Sequence, residues 1–132
     1  MYLNKLNDEE KKAFLGLAHF VAGANGVVED AEKNMIAQYC VEMEITDIPL
    51  ENSSIESVLS VFDNSTKVIK NIVMLELVGL CMSDGEFDSD ESGIIERISS
   101  GLGISKEMVK DLENDLKDYF EVVTKMTKRI FS

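Results

Sequence analysis

A chain of 132 residues, 45% of them apolar, is long enough for one domain with a substantial core and too apolar for global disorder. Its formal net charge of −12 repels phosphate backbones and anionic lipid, which argues against nucleic-acid binding and favours cations or a basic protein partner. Two cysteines, Cys40 and Cys81, are too few for a disulfide framework or a four-ligand metal site, and their apolar neighbours mark them as buried free thiols.

The N-terminal residues Met1-Tyr2-Leu3-Asn4-Lys5 lack the features of a signal peptide. The first helix is expected from Asp8 to Gly23. Asn7 serves as its N-cap, and Asp8, Glu9 and Glu10 meet the positive end of the dipole. From Ala13 to Ala24 only His19 is polar, so this helix is expected to be buried nearly all round, with His19 a hydrogen-bonded core residue. A second helix follows Glu29 and reaches Glu42, with Ala31, Met35, Ile36, Tyr39 and Cys40 inward. Ile45 to Asn52, containing Pro49, is a connector. Ser53-Ser54-Ile55-Glu56 opens a short third helix ending near Phe62. Asp63-Asn64-Ser65 breaks the chain, and Ser65 is placed as the cap of helix four.

Helix four, Thr66 to Ser83, is a second apolar rod: Val68, Ile69, Ile72, Val73, Leu75, Leu77, Val78, Leu80 and Cys81. Its most apolar stretch, Ile72 to Met82, is interrupted by Glu76 and is too short for a bilayer, so no membrane insertion and a cytoplasmic location are expected. Helix five runs from Ser89 to Ser100, with Gly101 and Gly103 supplying a left-handed stop. Ser105 caps helix six, whose stripe is Val109, Leu112, Leu116, Tyr119, Phe120, Val123, Met126 and Ile130. Lys125, Lys128 and Arg129 lie in its last turns. No alternating strand pattern and no interdomain linker is visible.

Two stretches say the same thing. Ala24-Asn25-Gly26-Val27-Val28-Glu29-Asp30-Ala31-Glu32 recurs as Ser83-Asp84-Gly85-Glu86-Phe87-Asp88-Ser89-Asp90-Glu91. Each copy links an apolar helix to an amphipathic one. The fold class is therefore all-α, a single domain of about six helices built on two helix-turn-helix repeats, residues 7–44 and 65–102, followed by a C-terminal helix over 105–131.

The repeated turns are the chemically distinctive feature. They are not EF-hands. With Gly85 as the sixth loop residue, positions one and three fall on Leu80 and Met82, and the first repeat fails likewise at Val21 and Gly23. One reading is structural: Asp88 with Glu91, and Glu29 with Glu32, have the spacing of a helix cap and its third-position acid. That leaves Asp84, Glu86 and Asp90 crowded into the same turn, where a bound cation would relieve their repulsion. No Ser/Cys–His pairing and no phosphate-binding loop points to catalysis, so the chain is read as non-enzymatic.

The doubled small-Asp-Gly-x-apolar-x-x-x-Glu turn resembles the tellurite-resistance TerB family, over roughly Leu6 to Leu116. A similar module forms the N-terminal region of a membrane-anchored J-domain co-chaperone. The resemblance implies a compact pseudo-symmetric helical fold, a link to stress responses and tellurite resistance, and a divalent-metal site, whose all-oxygen ligands favour calcium, magnesium or manganese. Carried onto this sequence, the site is Asp84, Asp88 and Glu91, with Asp90, Glu86, Glu29 and Glu32 as further contributors. Asn25 stands where an acid is expected, and Ala31 replaces the counterpart of Asp90, so the first half-site is the weaker. The alternative function is a protein-interaction module whose acidic face docks a basic partner and whose turn acids only cap helices.

Overall fold

The computed structural model describes residues 1–24, 26–47, 53–83 and 89–132. Among these are six α-helices and no strand: α1 Asp8–Ala22, α2 Asp30–Met43, α3 Ile55–Ser60, α4 Lys67–Cys81, α5 Ser89–Leu102 and α6 Lys106–Ile130. A 3-10 turn, Leu3–Lys5, precedes them and lies against α2 and α4. The two apolar rods α1 and α4 pack on each other at the centre. Phe14, Leu17, Ala18 and Val21 from α1, with Val73, Met74, Leu77 and Leu80 from α4, are inaccessible to solvent. The other helices cover the rods: α2, α3 and α5 lie against α1, while α2, α5 and α6 lie against α4.

The two repeats agree at every level described. Asp8–Ala22 matches Lys67–Cys81, and Asp30–Met43 matches Ser89–Leu102, residue for residue at one constant offset. The N-caps match as well. Asn7 accepts from the Glu10 N–H at 2.8 Å, and Thr66 accepts from the Ile69 N–H at 3.2 Å. Buried positions pair across the offset: Ile36 with Ile95, Tyr39 with Ile98, Cys40 with Ser99, and Met43 with Leu102. The helix ends pair too. The Ile45 N–H donates to the Cys40 carbonyl at 3.0 Å, and the Ile104 N–H donates to the Ser99 carbonyl at 2.8 Å. The residue ahead of each donor is left-handed: Glu44 at φ 56° and Gly103 at φ 71°.

Four expectations change. His19 is no core residue: its ring is partly exposed and Nε2 lies 2.8 Å from Asp47 Oδ1. Helix α1 is covered on the faces carrying Leu15, Leu17, Ala18 and Val21, and His19 falls at the edge of that cover. Ser65 is not the cap of α4. Thr66 holds that place, and the Ser65 hydroxyl donates to the buried Glu10 carboxylate instead. Gly101 remains inside α5, where a Cβ would stand 2.7 Å from Leu59 Cδ1. It serves close packing against α3, and Gly103 alone makes the left-handed stop. Val68 of α4 is 62% exposed, because the first turn of that rod extends beyond its cover. Cys40 and Cys81 are buried free thiols as expected.

A polar tie holds α1, α2 and α4 together. The Tyr39 ring meets Phe14 edge-on at 5.1 Å, and its hydroxyl donates to the Glu76 carbonyl at 2.9 Å. The buried Glu76 carboxylate pairs with the Met1 amino group, and the Leu3 N–H donates to Glu42 at 2.7 Å. Burial, then the charges of Glu76, Cys81 and Glu42, push the Tyr39 phenol above its ordinary range.

Two predictions follow from this geometry. Glu44 occupies a conformation that costs a side-chain-bearing residue about 1 kcal/mol. Glu44→Gly should therefore raise stability by about 0.5–1 kcal/mol, and Gly103→Ala should lower it by about 1 kcal/mol, both read from urea midpoints. Tyr39→Phe should cost about 1 kcal/mol at pH 8. The folded phenol is the weaker acid, so its contribution is complete below about pH 10 and is lost as pH rises above it. The gap between wild type and Tyr39→Phe should narrow by pH 11; a constant gap would contradict the buried, uncharged phenol.

Candidate metal site at the repeated turns

The first turn leaves α1 at Gly23, whose N–H donates to the His19 carbonyl at 3.0 Å. Gly26 turns the chain at φ 82°, a value its missing Cβ permits, and its N–H donates to the Gly23 carbonyl at 3.0 Å. Val27 and Val28 then run exposed to Glu29, the N-cap of α2. Glu29 itself is exposed, whereas Glu32, one turn into the helix, is 3% exposed. Glu32 Oε1 accepts the Glu29 N–H at 3.2 Å, the return half of a capping box. The structural role expected for this pair is therefore present in repeat one, and it engages a Glu32 oxygen with backbone.

In the second turn Asp84, Glu86 and Asp88 lie outside the described residues. Of the ligands predicted in this turn, Asp90 and Glu91 are described. Asp90 is exposed in the first turn of α5, and Glu91 is 4% exposed at the position that Glu32 holds in α2. The two buried carboxylates thus mark equivalent points of the repeats. That equivalence could have been read from the sequence offset; that both would be buried could not, because glutamate at a helix start is normally solvated. Among the described residues no three His, Cys, Asp or Glu side chains converge on a point that would hold a metal ion. The donor set of the turns is all oxygen, which suits hard cations and not zinc or copper.

The likeness to known proteins is structural. The fold resembles that of a tellurite resistance protein from Nostoc punctiforme, with a TM-score of 0.62 at 20% identity, over 95% of this chain and 80% of that one. No protein-family model and no curated protein sequence matches. The chain thus has a TerB-like all-α fold, in keeping with the resemblance carried by its turns. No helix among the described residues is long and apolar enough to cross a membrane.

Glu32 is expected to matter without any ligand. Glu32→Ala removes a buried cap and should destabilise the domain by about 1–2 kcal/mol in chelator-treated protein. An unchanged urea midpoint would show that the Glu29–Glu32 pair carries no capping energy.

Proposed function

We propose that the protein is a non-enzymatic TerB-like module that binds a hard divalent cation at its second acidic turn, while the first turn serves as a structural cap. The observation that carries this reading is the unequal number of acids in two equivalent turns. In repeat one the turn holds few acids, and Glu32 is committed to the Glu29 amide. In repeat two the same frame holds Asp84, Glu86, Asp88, Asp90 and Glu91, more carboxylates than one helix start can absorb. Asp84, Asp88 and Glu91 would lead the ligand set, with Asp90 and Glu86 beside them. Calcium, magnesium and manganese fit such oxygen donors. A helix N-terminus opposes a cation, so affinity in the micromolar-to-millimolar range is expected. The link to tellurite resistance and stress rests on the neighbour's description and on the motif resemblance.

Calorimetric titration of the chelator-treated protein with calcium, magnesium, manganese and zinc tests the proposal. Heat should appear with a hard cation, and Asp84→Asn combined with Glu91→Gln should abolish it while the helical circular-dichroism signal stays. Absence of heat with all four ions would refute it and leave the docking of a basic protein on the acidic face. That reading is favoured by the capping role of Glu32, and it requires an affinity that falls steeply with salt.

A further inference from the structure

Helix α6 is longer than the domain it belongs to. Along it, Val109, Leu112, Leu116, Tyr119, Val123, Met126 and Ile130 recur at alternating steps of three and four residues, the narrow seam of a coiled coil. The first three meet the body: Leu116 is buried, and Val109 and Leu112 pack against the core. The rest of the seam is uncovered, with Tyr119 48%, Val123 36%, Met126 49% and Ile130 72% exposed. Val122 and Phe131 are also open to solvent. A free helical segment of this length, roughly 18 Å, is marginal on its own in water.

From the continuity of this seam and the charge it carries, we infer that the free half of α6 is a dimerisation arm. Residues 119–130 of two copies of this chain pair antiparallel. Charge selects both the occupant and the direction. After Glu121 the helix bears Lys125, Lys128 and Arg129 and no acid, whereas Asp118 and Glu121 lie exposed, beside Lys117, at the foot of the arm. Parallel pairing would stack cations on cations. Antiparallel pairing brings Arg129, which flanks the seam, to the foot of the other arm beside its Asp118.

The seam is self-complementary in that direction. Tyr119 faces the second copy's Ile130, and Val123 faces its Met126, so four layers form from the uncovered residues alone, leaving the body-facing seam undisturbed. In the same register Phe131 reaches the foot of the opposite arm. There an open groove of about 530 Å³ is lined by Ala31, Met35, Gln38, Met82 and Phe120 among others. The arm's six exposed apolar side chains include two aromatics, Phe131 with most of its side chain (83%) and Tyr119 with about half (48%) still to be buried. With the groove they approach the roughly 800 Å² per partner of a stable interface. The inference is independent of the metal reading, since no seam residue lies in the acidic turns and the groove's Ala31 offers no side-chain ligand.

Sedimentation equilibrium of the full chain at about 100 μM should give twice the 14.7 kDa chain mass. Val123→Arg with Met126→Arg, both at exposed positions, should return it to monomer with the urea midpoint of the body retained. Raising salt from about 0.05 to 0.5 M should weaken the dimer several-fold. Under oxidation, chains carrying Tyr119→Cys mixed with chains carrying Ile130→Cys should form the mixed disulfide in preference to either homodisulfide. A monomeric wild type, or a dimer indifferent to the two arginines, would overturn the arm. Predominant Tyr119→Cys homodisulfide would overturn the antiparallel pairing. A wild type that stays monomeric yet binds phosphatidylserine vesicles through α6 would assign the stripe to a membrane surface instead.

Discussion

The structure depends on the burial of two rods that have almost no polar face. Neither α1 nor α4 can satisfy its apolar surface with one neighbour, because each is covered on nearly every side over most of its length. At about 1.5–3 kcal/mol per fully buried large aliphatic or aromatic side chain, their mutual packing is a leading stabilising term. It dictates the rest: each rod needs an amphipathic helix folded back on it, and the reversal must occur in a short turn. The two turns are therefore consequences of the core. Their acids stand where a helix start has free amides to offer.

That dependence explains what could be read from the chain. The rods, their caps and the repeat were legible because apolar density, Asn/Ser/Thr placement and a constant offset are local signals. Helix boundaries accordingly fall within about two residues of the expected ones. What was not legible required knowing which face meets which neighbour. His19 reads as a core residue because its sequence neighbours are apolar, but a helix face is set by angle, and Asp47 reaches it from beyond α2. Gly101 reads as a stop because glycine often is one; its use is the approach of Leu59. Of the candidate site, the pairing of Glu29 with Glu32 was legible from spacing, whereas the burial of Glu32 and Glu91 was not.

The duplicated turns place unequal numbers of acids in one frame. A buried glutamate three positions into a helix is stabilised by backbone amides and by the dipole, and it needs no ligand. Beyond that position, each added carboxylate in such a turn meets like charge, and a helix start offers only a few free amides to answer it. Repeat one stops near that limit, with Asn25 and Ala31 in place of acids. Repeat two goes past it. Divergence between halves of one fold is therefore best sought in the residues the frame does not need.

The same reasoning applies to α3 and α6. Each follows its repeat, and each packs on that repeat's rod, α3 on α1 and α6 on α4. Six residues suffice for α3, whereas α6 has 25. By the repeat offset, the cover supplied by Ile55–Ser60 corresponds to residues 114–119 of α6, which is where the helix leaves the body. Beyond Phe120, which still packs against the core, the helix is surplus to the fold, yet its apolar seam keeps the period and register of the part that is buried. A solvated extension has no reason to hold a coiled-coil repeat, because exposed apolar side chains gain nothing from register. A register maintained past the edge of the core implies a second surface for the seam to meet.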